Sequence, residues 1–324
     1  MAPVYWLIRI ALSLVGLAAF GQSIQEWRTR VIPLPDEEIL APCEYRMVIP
    51  SASAEVKAAW VVFDRGQDYL KWYEDRQVRA FAEAQRLAIV LAMHCRSKER
   101  EDMIVLPEKG VGRALFAALD QLAAASGHSE VASVGIIALG WSGAGSLVGR
   151  LAGYRPARYV AGIAYAPGQY EPLGMDTIEL FGEALRSPQL VISNGGDKVS
   201  GTERPYAYFK KHFNRGAPWT FVVQSQLPHC CLQNAQSLIL EWLRAVLGEG
   251  RPTGASSYGY LAVEQTNVLD DWKRPTFNAT SGRVGFRGKA KRAELPAGWM
   301  PSRAFSQEWL ALVGKPKPIA IWHP

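Results

Sequence analysis

Short continuous apolar runs alternate with longer stretches of helical spacing between residues 58 and 247. The runs AAWVVF (58–63), LAIVLAM (87–93), VGIIAL (134–139), YVAGIAYA (159–166), PQLVISN (188–194) and WTFVVQ (219–224) lack the in–out alternation of a half-exposed strand. They read as strands covered on both faces. Between them, 69–86, 110–127, 204–213 and 235–247 carry apolar residues at helical spacing, as does the segment after Gly143 through Leu147, Val148 and Leu151. EYRMVI (44–49) reads as an edge strand. The alternation predicts an α/β fold, a mostly parallel sheet with helices on both faces. In such sheets ligands bind beyond the carboxyl ends of the strands. The last seventy or so residues have weak periodicity apart from a helical pattern at 302–314. They are too short to suggest a separate domain and are expected to pack on the main one.

The N-terminus stands apart from this pattern. Arg9 precedes the eleven-residue apolar stretch IALSLVGLAAF, and small residues at Ala19 and Gly21 suit cleavage before Gln22. Residues 1–21 are therefore expected to be a signal peptide, with an uncleaved anchor as the alternative. The stretch is short for a membrane span, so no stable membrane insertion is expected after cleavage. The expected division is a catalytic domain over 22–249 and a basic extension over 250–324, in a secreted or periplasmic protein.

Export makes the four cysteines, Cys43, Cys95, Cys230 and Cys231, candidates for two disulfides. Joining the neighbours Cys230 and Cys231 closes a strained ring, which favours pairing them with Cys43 and Cys95. No spacing suggests a metal site, and no cofactor is expected. Residues 251–324 carry eleven Lys/Arg against five Asp/Glu, which accounts for the whole net charge of +6. This basic segment could contact an acidic polysaccharide. Its RGKAKR cluster (287–292) lacks interleaved aromatics, so no nucleic-acid partner is expected.

The chemistry concentrates after three of the strands. GWSGAG (140–145) places Ser142 on a sharp strand-to-helix turn, with Gly140 and Gly143 relieving the backbone. Asp197 follows PQLVISN and His229 follows WTFVVQ, 55 and then 32 residues along. Serine is a weak nucleophile until a base takes its proton. Histidine titrates near neutral pH and can return that proton to a leaving group. A carboxylate fixes the imidazole tautomer. The order Ser…Asp…His, each just past a strand, makes Ser142, Asp197 and His229 the candidate triad. Asp176 is the rival acid. The N–H of Gly143 is one expected oxyanion donor, and the loop DRGQD (64–68) is expected to supply the other, assigned to Arg65 over Gly66 and Gln67. Of the remaining histidines, His94 also follows a strand and could line a pocket, His212 reads as a surface residue of its helix, and His128 and His323 sit in a turn and the tail.

The segments GWSGAG, NGGDKVSG and LPHCC together resemble exported bacterial α/β-hydrolase esterases, and are similar to the feruloyl esterase and polyhydroxyalkanoate depolymerase group. The resemblance covers about residues 44–249 and touches 295–314. It implies the α/β-hydrolase fold and hydrolysis of carboxylic esters through an acyl-enzyme. Two departures stand out. Trp141 precedes the serine where some fungal relatives of that group have a cysteine bonded to one after the histidine. FDRGQD also replaces the usual His-Gly oxyanion loop. Only about twenty residues separate YVAGIAYAPG from PQLVISN, too few for a large cap, so the pocket is expected to be open and its substrate a short-chain or aryl ester, free or borne on a polymer. Trp141 could stack on an aromatic acyl group or simply pack the turn. A peptidase or acyltransferase with the same triad, or a silent binding protein on this fold, are the alternatives.

Overall fold

In the computed structural model, residues 25–50, 55–63, 67–97, 106–168, 179–248, 257–266 and 276–313 are described; the leader, Arg65, Asp176 and His323 lie outside them. The apolar runs form the strands the pattern predicts. β1 (Glu26–Val31) and β2 (Cys43–Val48) come first, then β3 (Ala58–Phe63), α1 (Gln67–Glu74), α2 (Arg76–Gln85), β4 (Leu87–Met93) and α3 (Val111–Ser126). β5 (Gly135–Trp141), α4 (Gly143–Tyr154), β6 (Tyr159–Tyr165), α5 (Gly182–Arg186), β7 (Gln189–Asn194), α6 (Glu203–Asn214), β8 (Trp219–Gln224) and α7 (Gln236–Leu247) continue the alternation. β9 (Ser257–Thr266), β10 (Thr276–Gly285), β11 (Glu294–Met300) and α8 (Arg303–Leu312) complete the chain.

All eleven strands join one sheet in the order β1-β2-β4-β3-β5-β6-β7-β8-β11-β9-β10. The six from β4 to β8 run parallel, and the outer strands on both sides are antiparallel. Every residue of β3, β4, β7 and β8 is buried, as continuous apolar runs between two helical layers require. Trp60 on β3 meets Trp72 and Phe81 edge-on, at ring centroids of 5.9 and 6.0 Å, which seats α1 and α2 on one face.

Four features differ from the sequence expectations. β2 is not the edge, because β1 pairs along its outer side with Glu26 opposite Val48. The helix expected over 69–86 breaks at Asp75, whose extended backbone and side chain cap α2 by accepting the N–H groups of Gln77 and Val78. The C-terminal segment contributes three strands that extend the sheet beyond β8, with the basic cluster 287–292 on the exposed turn between β10 and β11. The disulfides pair Cys43 with Cys95 and Cys230 with Cys231, not across these pairs. Strand order explains this correction. Cys43 opens β2 and Cys95 follows its neighbour β4, at a Cα separation of 4.7 Å. Cys230 and Cys231 follow β8 and turn back to Tyr165 at the end of β6, four strand spacings from β2, or about 19 Å, far beyond the reach of a disulfide.

The Asp75 cap is a test of this packing, because Oδ1 also accepts Gln236 Nε2 of α7 at 3.0 Å. Asp75→Ala is expected to lower unfolding free energy by about 1–2 kcal/mol in urea denaturation. An unchanged midpoint and slope would show that the cap holds nothing in place.

Candidate active site

β5 runs straight into α4 through Ser142, whose φ of 54° and ψ of −121° lie outside the ordinary regions for a residue with a side chain. Such a conformation costs about 1–3 kcal/mol and persists only where its surroundings enforce it. Here they do. Ser142 N–H donates to Tyr165 O at 3.0 Å, and Ser142 O accepts Ser146 N–H at 3.3 Å and Gly168 N–H at 2.9 Å. The turn is tight enough that a Cβ on Gly140 would fall 2.3 Å from Ala144 O, so only glycine fits there. Ser142 is 9% exposed, and the N–H of Gly143 opens the first turn of α4 beside it, where the helix dipole favours negative charge.

Asp197 and His229 meet beyond β7 and β8. Asp197 is 1% exposed, and its Oδ2 lies 2.6 Å from His229 Nδ1. Its Oδ1 accepts the N–H groups of Val199 and Ser200 at 2.8 and 2.9 Å, an Asx-type turn that fixes the carboxylate plane. Ser200 Oγ donates to Ala166 O at 3.1 Å and stands 3.3 Å from His229 Nδ1. With its proton spent on Ala166, that oxygen offers Nδ1 a lone pair. Both neighbours of Nδ1 are therefore acceptors, which places the ring proton on Nδ1 and leaves the Nε2 lone pair free. The imidazole packs on Trp141, the residue before Ser142, at a centroid distance of 4.6 Å. Trp141 also stacks on Tyr69 of α1 at 6.4 Å.

Ser142, Asp197, His229, Gly143 and Trp141 thus gather at the carboxyl ends of β5, β7 and β8. Arg65 and Asp176 lie outside the described residues, and Gln67 opens α1. His94 ends up at β4, with β3 between its strand and β5, exposed and with Nε2 4.0 Å from Glu44 Oε2. His212 is fully buried rather than on the surface. It stacks on Trp219 at 4.6 Å and places Nδ1 3.0 Å from Tyr208 O, and burial pushes its pKa below the ordinary imidazole value. Its helix packs on the sheet along the face that the lysines around it seemed to expose. Ser200 and Gly168 were missed by sequence reasoning. The spacing Asp-x-x-Ser was a legible cue for Ser200, as an Asx turn; nothing local marked Gly168. Among the described residues no group of three or more His, Cys, Asp or Glu could hold a metal ion.

This is the α/β-hydrolase fold. An α/β-hydrolase from a Medee basin deep-sea metagenome library is similar in structure, with a TM-score of 0.51 and 13% identity over 68% of this chain and 98% of that one. A ferulic acid esterase gives a TM-score of 0.49 at 13% identity over 69% and 99% of the two chains. A hyperthermophilic esterase from the archaeon Pyrobaculum calidifontis gives 0.46 at 13% over 69% and 85%. No protein-family model and no curated protein matches the sequence.

Gly168 leaves the space over the serine open. A Cβ there would sit 3.7 Å from both Ser142 Oγ and Gly143 N, in ordinary contact with the protein but in the way of an oxygen bound to that N–H. Gly168→Ala is expected to leave the unfolding midpoint unchanged and to slow fluorophosphonate labelling of Ser142 by about tenfold or more. Equal labelling rates would mean that nothing approaches the serine from that side.

Proposed function

We propose that the chain is an exported serine hydrolase that cleaves carboxylic esters through Ser142, His229 and Asp197. The observation that carries this reading is the 2.6 Å contact between His229 Nδ1 and buried Asp197, set beside a serine on a strained strand-to-helix turn. In the proposed reaction His229 Nε2 takes the proton of Ser142 Oγ as the oxygen attacks the ester carbonyl. Charge develops on the carbonyl oxygen and is met by the Gly143 N–H, with the second donor assigned to Arg65. His229 then protonates the departing alkoxide, leaving an acyl group on Ser142. Water enters in place of the alcohol and attacks the acyl carbonyl as it gives a proton to His229, which returns that proton to Ser142 Oγ as the bond to the acyl group breaks and the carboxylic acid leaves. Asp197 holds the tautomer and stabilises the imidazolium formed in each half-reaction.

Short-chain or aryl esters suit the site, because the stretch from β6 to α5 is too short to fold into a large cap. Trp141 is assigned to the acyl pocket's wall, and His94 to its outer margin. The buried Cys43–Cys95 disulfide favours an oxidising compartment, secreted or periplasmic. None of the described helices is long and apolar enough to cross a membrane.

The reading is tested with a fluorophosphonate probe and a panel of p-nitrophenyl and feruloyl esters. Ser142→Ala is expected to abolish labelling. Ser142→Ala or His229→Ala is expected to lower kcat by about 10⁶-fold, the double variant hardly more, because the members act as a unit. Asp197→Asn is expected to cost about 10⁴-fold. Labelling that survives Ser142→Ala, or no labelling of folded wild type, would overturn the assignment. Turnover of amides or of an acceptor alcohol in place of esters would redirect it to a peptidase or an acyltransferase.

A further inference from the structure

The residues that end β6, β7 and β8 are all polar at one end of the side chain and all buried: Tyr165, Asn194 and Gln224, each at most 2% exposed. Parallel register aligns them, with Asn194 opposite Gln224 and Tyr165 one strand over, opposite Ile192. Gln224 Nε2 donates to Tyr165 Oη at 2.8 Å and to Asn194 Oδ1 at 2.9 Å. The two remaining donors point out of the sheet at one short loop. Asn194 Nδ2 donates to Pro228 O at 2.7 Å and Cys230 O at 3.0 Å. Tyr165 Oη donates to Cys230 O and Cys231 O, at 2.8 and 2.9 Å. The carbonyls on either side of His229 are thus held by side chains anchored in the sheet. The disulfide between Cys230 and Cys231 closes a ring that includes the Cys230 carbonyl carbon, and Cys231 itself has a positive φ of 75°.

Burying three such side chains is costly unless each polar group is used, and apolar residues would fill these positions without that demand. Gln224 spends its donors on Tyr165 and Asn194 and leaves Oε1 without a partner, while Tyr165 and Asn194 spend theirs on the carbonyls of Pro228, Cys230 and Cys231 that flank and follow His229. We infer that Tyr165, Asn194 and Gln224 form a buried seat that sets the position of the His229 imidazole between Ser142 and Asp197. They are positioning residues, since their side-chain hydrogen bonds run to one another and to the carbonyls around His229. The inference rests on the proposed role of His229 as the base.

Tyr165→Phe removes one hydroxyl and keeps the ring, and Asn194→Asp keeps the shape while turning a donor toward two carbonyls into a repelling oxygen. With the preferred ester of the panel, each is expected to lower kcat by about 10–100-fold with KM changed less than about twofold, in a protein that still unfolds cooperatively at a midpoint lowered by the partners left unpaired. Placed in a His229→Ala background, neither is expected to lower the residual rate further, because the seat acts only through that ring. A folded Tyr165→Phe with wild-type kcat, or an equal loss in the His229→Ala background, would overturn the seat. If His229→Ala itself keeps full activity, the base assignment falls and the seat with it; loss of activity in His229→Ala beside full activity in Tyr165→Phe sinks the seat alone.

Discussion

The structure turns on the junction of β5 and α4. A strand buried at all but its two end residues must pass into a helix within one residue, and that residue carries a side chain in a conformation suited to glycine. The strain is tolerated because neighbours on both sides hold the turn: Gly140 lets Ala144 come within a distance no Cβ would allow, and Tyr165 and Gly168 bond the peptide groups of Ser142 to the next strand and its loop. A looser turn would let Ser142 relax to an ordinary backbone conformation and swing its hydroxyl away from the open face of the sheet. The geometry of Ser142 is thus a property of two strands and a helix, not of the serine alone.

The same logic extends along the carboxyl edge of the sheet. Each parallel strand stops where its backbone groups would otherwise go unpaired, and the loops that follow take them up. Gly195 N–H donates to Gln224 O and Gly196 N–H to Leu227 O, so the loop carrying Asp197 is stitched to the one carrying His229. Ser200 ties that stitched pair to β6 through Ala166. Asp197 and His229 are held by loops that share hydrogen bonds, which is how two side chains 32 residues apart in sequence keep a 2.6 Å contact.

What could be read from the sequence follows from what each signal depends on. Strands β3 to β8 were legible because burial on both faces forces continuous apolar runs, and the placement of Ser142, Asp197 and His229 at one edge of the sheet was legible because parallel sheets gather the loops after their strands there. β1 and β9–β11 were not, since half-exposed antiparallel strands such as EWRTRV mix charged and apolar residues with weak alternation. The break at Asp75 hid inside a helical pattern because capping depends on backbone geometry, not periodicity. His212 looked exposed because its neighbours are lysines, while its own side of α6 faces Trp219. The disulfide pairing depended on strand order, which crossovers set and local sequence does not record.

The C-terminal strands join this edge rather than hanging from it. Phe277 N–H donates to Thr202 Oγ1 at 2.6 Å, just past the Asp197 turn. Asn278 Oδ1 accepts Gln226 N–H at 2.8 Å and fills the space beside Gly195, and Ser225 Oγ donates to Ala279 O. Three successive residues of β10 therefore brace both loops from the side opposite β6. Gly195 leaves room for that contact, because a Cβ there would meet Asn278 Oδ1 at 1.9 Å and push the side chain off Gln226 N–H. The loops of Asp197 and His229 are thus clamped between the middle of the sheet and its last hairpin. The pairing of β11 with β8 and of β9 with β11 is what carries β10 to that position.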